Sequence, residues 1–240
     1  MNGTALARGL LVLAYFGLAH AAGARQDPVL AALALGDIAA IVMLEPLLRG
    51  NARAWGIAAL VAVALAALAR TAHAHLPLLL VPAVIVAFVA WTFGRTLRKG
   101  HVPLITRMVT ALDGVPLREL APDLRAYTRA LTATWAFLLG VLAIVDLVLA
   151  LCAVPGGLLE GIGITPPLAV PHAAWSWFAN GVTYGVIGTL FIGEYYYRVR
   201  RFPGRYASFF DFLRKMGRLD PAFWREAWRD APVREPNGRG

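Results

Sequence analysis

The sequence predicts an all-α polytopic integral membrane protein with about six transmembrane helices, plus amphipathic helices on the cytoplasmic side. Three observations carry this. Of the 240 residues 59% are hydrophobic and 15% charged, with a mean hydropathy of +0.62, whereas a soluble domain is about half apolar and a quarter charged. Apolar windows approaching the ~20 residues that cross a bilayer recur along the chain. The basic residues gather in alternate connections between those windows, as cytoplasmic loops require. The windows are continuously apolar and do not alternate, which excludes a membrane β-barrel.

Taken in order, the windows are Leu6–Ala22, Val29–Leu48, Ala54–Ala69, Leu76–Gly94, Ala130–Ala153 and Ala174–Tyr195. Each is bracketed by Pro, Gly or charge, as at Gln26-Asp27-Pro28, Arg49-Gly50-Asn51 and Val154-Pro155-Gly156-Gly157. The third is short and Ala-rich, so it is expected to pack through small residues. The first admits two readings. Arg8, the run Gly9–Leu18 and Ala19-His20-Ala21 also fit a secretory signal with a small-residue cleavage site. Cleavage would move the N-terminus outside and leave the other five spans as they are.

With both termini inside, 21 of the 23 Lys and Arg residues fall on the cytoplasmic side. Outside stand only Arg25 and Arg70, and the stretch 154–173 has no Lys or Arg. The expected division is a transmembrane domain over 1–196 that includes a cytoplasmic loop at 95–129, a basic amphipathic tail at 197–229, and a disordered end at 230–240.

Within the loop, Leu104, Ile105, Met108, Val109 and Leu112 recur at helical spacing opposite Thr106, Arg107 and Thr110, and Asp113-Gly114 stops that helix. A second helix is expected from Pro116 past Leu117 and Leu120, broken by Pro122. In the tail, Phe209, Phe210, Leu213 and Met216 share a face edged by Arg214, Lys215 and Arg218. Aromatic and basic stretches of this kind sit at the headgroup boundary, each base contributing about 1 kcal/mol near an anionic surface. They serve either to anchor the bundle or to form a docking deck. Arg95, Arg98, Lys99, Arg107, Arg198, Arg200 and Arg201 are the candidate docking bases.

Ionisable residues inside spans cost several kcal/mol and are functional candidates by default. The intramembrane polar candidates are Asp37, Asp146, Asn180, Tyr184 and Glu194. Asp37 and Glu45 lie about 12 Å apart along one helix, too far for a shared-proton pair. Glu45 sits within reach of Arg49 or Arg53. Asn180, Thr183 and Tyr184 are possible partners for Asp37 and Asp146, whose own spans carry no base. Glu194 opens the string Glu194-Tyr-Tyr-Tyr-Arg198-Val-Arg200-Arg201-Phe-Pro203, an interface anchor in which Glu194 and Arg198 form an i,i+4 pair.

Several chemistries are excluded by inspection. Cys152 is the single cysteine, so a disulfide framework or thiolate cluster is unavailable. His73 and His75 lack a third ligand, so no metal is expected. The chain has two serines, neither in a G-x-S-x-G setting, no H-x4-D pair, no Walker A sequence and no G-x-G-x-x-G. Bases set between long apolar runs do not form the exposed face a nucleic acid needs. No cofactor is expected, and the balance leans away from an enzyme.

Five strings together carry a resemblance: Gly94-Arg95-Thr96-Leu97, Pro103-Leu104-Ile105-Thr106-Arg107, Tyr127-Thr128-Arg129 with Thr132 and Trp135, Trp177-Phe178-Ala179-Asn180, and Glu194 to Pro203. Over about residues 90–215 the chain resembles a bacterial inner-membrane family encoded in aryl polyene and xanthomonadin-type pigment gene clusters. The ketosynthase label sometimes attached to that family does not carry over, because Cys152 has no histidine near it in sequence. The resemblance implies a context in which carrier-bound aryl polyene chains are attached to lipid at the inner membrane. The expectation is a non-catalytic component that holds a lipid-linked intermediate or docks acyl-carrier-dependent enzymes, with membrane lipids and acidic acyl carrier proteins as partners. Alternatives are a small flippase or transporter for a lipid-like product, using Asp37 and Asp146, and a membrane acyl- or glycosyl-type transferase without a known motif.

Overall fold

The computed structural model describes residues 3–25, 27–71 and 73–201, with Ala5, Ala24, Ser176 and Asn180 described in backbone only. The tail helix expected after residue 201 and the disordered end at 230–240 lie outside the described residues. Helices dominate: α1 (Gly3–Arg25), α2 (Pro28–Leu48), α3 (Ala52–Leu68), α4 (Leu76–Arg95), α5 (Leu104–Asp113), α6 (Pro122–Cys152), α7 (Leu158–Gly161), α8 (His172–Trp177) and α9 (Thr183–Arg201). A 3-10 turn at Leu117–Glu119 precedes α6, and a π-turn at Phe178–Val182 joins α8 to α9. A two-residue parallel pair, Ala153–Val154 with Val170–Pro171, closes the loop after α6. The fold is all-α.

Among the described residues four stretches are long and apolar enough to cross a membrane: Leu6–Gly23, Pro28–Leu48, Leu76–Arg95 and Pro122–Cys152. Ala52–Leu68 is apolar but has 17 residues, a length of about 25 Å against a hydrocarbon core of about 30 Å. Burial supports lipid as the solvent. Leu13, Val42, Leu60 and Phe137 are 69%, 71%, 70% and 75% exposed, while among the described residues five of the six largest fully buried side chains are polar: Thr96, Thr128, Thr132, Thr183 and Asp146. Apolar side chains outside and hydroxyls within is the arrangement of helices that pack in lipid, where burial in protein brings apolar groups no advantage and hydrogen bonding does. This is a membrane protein.

The chain forms two compact units, and α4 and α6 each run from one into the other. The first contains α1–α3, α4 through Val81, and residues 148–175. Its helix starts are set locally. Asp27 accepts from the backbone N–H groups of Val29 (2.8 Å) and Leu30 (3.3 Å) ahead of Pro28, and Asn51 accepts from Arg53 at 3.0 Å. α1 packs on α2 and α2 on α3. Small residues permit the approach: Ala22, Ala31 and Ala74 are buried together, and a Cβ on Gly36 would stand 3.4 Å from Leu65. Glu45 pairs with Arg49, as its position suggests, and also with Arg8 of α1 at 3.4 Å.

The second unit contains α4 from Pro82, α5, α6 through Leu147, and residues 176–201. Its core joins Val86 and Ala90 of α4 to Leu139, Leu142 and Ala143 of α6, with Phe178, Val186 and Ile187 packed against them. Two elements differ from expectation. Pro122 does not break a helix; it begins α6, which runs unbroken for 31 residues. A proline lacks only an N–H that a first-turn residue leaves unpaired anyway, and its φ suits a helix start. The window Ala174–Tyr195 is not one regular helix, because the π-turn divides it.

Candidate functional site

The best-built polar region lies where α4, α5, α6 and α9 meet within the second unit. It grows from a capping problem. Helix α5 follows Pro103, which offers no side chain to cap it, so its first amides need acceptors from elsewhere. Two threonines of neighbouring helices supply them. Thr96, fully buried, accepts from the Leu104 N–H at 3.0 Å, and Thr132, also fully buried, accepts from the Ile105 N–H at 3.3 Å. Both hydroxyls spend their own protons inside their helices, Thr96 on Phe93 O and Thr132 on Thr128 O.

A third bond fixes the next turn. The Thr106 and Thr128 hydroxyl oxygens are 2.7 Å apart, and Thr128 donates to Arg125 O. Thr106 is therefore the donor to Thr128. This places Thr106 in the interior at 2% exposure, not on the polar outer face that the spacing of α5 suggests. Leu104 and Val109 are buried with it, and Val109, Leu120 and Leu124 form a small apolar core with Ile105 and Tyr127. Gly114 ends α5 with φ +65°, a left-handed conformation that glycine adopts without a Cβ penalty.

The bases divide into two groups. Arg95 is buried with its guanidinium 4.7 Å from the Trp91 ring centre, and half-buried Arg107 donates to Val102 O at 3.1 Å. Arg198 is buried. Arg98, Lys99, Arg200 and Arg201 are exposed. So are Arg118, Arg125 and Arg129, of which Arg125 donates to Leu120 O and Arg118 O, and Arg129 to Leu97 O. These backbone bonds tie the connections on either side of α5 to the helices that carry them.

At the α9 side, Glu194 and Arg198 form their i,i+4 pair at 3.1 Å, with side chains 8% and 7% exposed. Tyr127 donates to the same Glu194 oxygen at 3.0 Å and stacks on Tyr197 at 5.7 Å. Sequence reasoning missed Tyr127, which lies 67 residues from its partner. A signal existed in Tyr127, Thr128 and Thr132, whose three- and four-residue spacing continues as half-buried Trp135 and buried Leu139 and Leu142 of α6.

The intramembrane candidates are spread between the units. Asp37, in the first, is half-buried, and its Oδ2 has no hydrogen-bond partner among the described residues. Asp146, in the second, is 1% exposed, and neither carboxyl oxygen has such a partner. Asn180 falls in the π-turn, while Tyr184 is 59% exposed. Thr183 is buried and its hydroxyl, too, has no partner among the described residues. Cys152 is buried as a free thiol. Among the described residues no three His, Cys, Asp or Glu side chains gather in a way that would hold a metal ion.

Compared with family models, with curated proteins and with solved structures, the chain matches none.

Proposed function

We propose that the protein is a non-catalytic component of a bacterial inner membrane that docks soluble, acyl-carrier-dependent enzymes beside a lipid-linked intermediate. The observation that carries this reading is the α5 deck. Thr96, just past α4, and Thr128 and Thr132 of α6 hold the helix at its first turns, the connections around it present Arg98, Lys99 and Arg118 to solvent, and the start of α6 presents Arg125 and Arg129. Arg200 and Arg201 add two more exposed bases at the end of α9. An ordered cationic surface suits an acidic partner such as an acyl carrier protein, because complementary charge speeds and orients encounter.

In this reading the chain crosses the membrane six times, α3 and the α8–π–α9 stretch completing the four longer helices. The deck and both termini face the cytoplasm, supported by the gathering of 21 of 23 bases on that side. The resemblance over residues 90–215 supports an aryl-polyene-type lipid or pigment assembly system as the setting. The full chain in lipid nanodiscs tests the docking. With Arg98, Lys99, Arg200 and Arg201 all changed to Glu, affinity for a purified acyl carrier protein is expected to fall at least about tenfold. Binding in the unaltered protein should weaken as salt is raised. Equal affinity for both proteins, in membranes holding equal amounts of each, would refute the docking role. A flippase is the second reading, and Asp146 is the observation that favours it.

A further inference from the structure

Helix α6 carries one buried face. Leu139, Leu142, Ala143, Asp146 and Ala150 recur at intervals of three and four and are all buried. Asp146 is the only polar member of that run, and it follows Leu142 and Ala143 by a single turn. Those two pack with Val86 and Ala90 of α4, and Phe178, Val186 and Ile187 close over the same cluster. Both Asp146 oxygens have no hydrogen-bond partner among the described residues.

The packed elements bring no opposite charge to it. Helix α4 has no ionisable residue before Arg95, nine positions beyond Val86, and the chain from Ala173 to Gly193 has no charged residue. Tyr184, the one ionisable side chain in that stretch, is 59% exposed. On α6 itself the nearest base, Arg129, lies about 26 Å away along the axis, and the one nearer titratable group, the Cys152 thiol, about 9 Å away in the other direction. Helix α9, whose Val186 and Ile187 pack on that cluster, begins with a neutral oxygen. Thr183 is 1% exposed, and its hydroxyl is likewise without a partner among the described residues. It ends the π-turn, its N–H bonding Phe178 O across five residues. Such turns widen a helix and recur at functional sites.

A carboxylate in these surroundings cannot stand alone, since an uncompensated charge within a membrane protein costs several kcal/mol. We propose that Asp146 binds a small monovalent cation, Na+ or H+, which neutralises the carboxylate at this position. Sodium would draw its remaining ligands from neutral oxygens, whereas a proton needs the carboxylate alone. The site does not depend on the docking role and would persist if that role were refuted.

The full-length protein in nanodiscs decides between the two cations. Sodium chloride is exchanged for choline chloride at constant ionic strength across pH 5–9. Modification of Asp146 by a hydrophobic carbodiimide is followed by peptide mass spectrometry, alongside the thermal unfolding midpoint. A sodium site predicts modification slowed about threefold by Na+ and a midpoint raised by about 2 °C. A proton site predicts faster modification and a higher midpoint as pH falls, with no effect of Na+. In either case Asp146→Asn loses the midpoint response. The proposal is overturned if wild-type modification and midpoint follow neither Na+ nor pH, or if Asp146→Asn responds as the wild type does. Should that variant not accumulate, modification of the wild-type carboxyl alone decides.

Discussion

Replacing Thr96 and Thr132 by valine keeps the shape of both side chains and removes the acceptors of the first two α5 amides. Thr96 and Thr132 are fully buried, so those N–H groups cannot turn to water in their place. A lost cap costs about 1 kcal/mol and a buried unpaired donor about 1–3 kcal/mol. At about 1.5 kcal/mol for each site, the double variant loosens α5 by about 3 kcal/mol, a factor of about 150 in its opening equilibrium. Hydrogen exchange in nanodiscs measures this directly, because amides of Leu104–Asp113 exchange through local opening. Each single variant should speed exchange there about tenfold and the pair about 150-fold, while α2 is unaffected. Exchange in α5 left unchanged by the pair, or raised to the same degree in α2, would refute the capping argument.

Breaking the buried pair at the end of α9 should be costly. Arg198→Met or Glu194→Leu alone is expected to destabilise by about 3–5 kcal/mol, whereas the two together cost less than either, since the double change leaves no orphaned charge. Thermal unfolding of the four proteins in detergent checks this, and additive losses would contradict it. Tyr127→Phe removes only the hydrogen bond to Glu194 and should cost about 1 kcal/mol by the same measurement. A Cβ on Gly157 would overlap Ala153 O, a backbone atom that cannot swing aside. Gly157→Ala should therefore cost at least about 2 kcal/mol and lower the amount of protein in the membrane. Gly140→Ala, which meets nothing within 4 Å, should accumulate normally. Equal accumulation of both would remove the steric explanation.

Much of the helical framework is legible because each signal is local. Hydropathy windows locate the four long apolar helices, Asp113-Gly114 marks the end of α5 through its turn chemistry, and Glu194 lies one turn from Arg198. Other features depend on information that spacing along one helix does not hold. Pro122 reads equally well as a breaker or as a first residue, and only the free N–H groups of the next turn decide between them. Thr106 reads as an outward polar residue because a hydroxyl in water and a hydroxyl bonded to Thr128 look the same in one dimension. The caps from Thr96 and Thr132 reach across 8 and 27 residues. In lipid, polar residues report the interior and apolar ones the outside, so the buried threonines of α4 and α6 were the available sign of the site.

The account turns on where the deck sits, and cysteine accessibility measures that most directly. In a Cys152→Ser background, Lys99→Cys places a thiol on the exposed connection before α5, and Leu168→Cys places one on the exposed loop after α7. In intact bacterial cells a membrane-impermeant maleimide should label the cysteine at 168, and should label the one at 99 only once the membrane is opened. Labelling at 99 in intact cells, with 168 protected, would contradict the account.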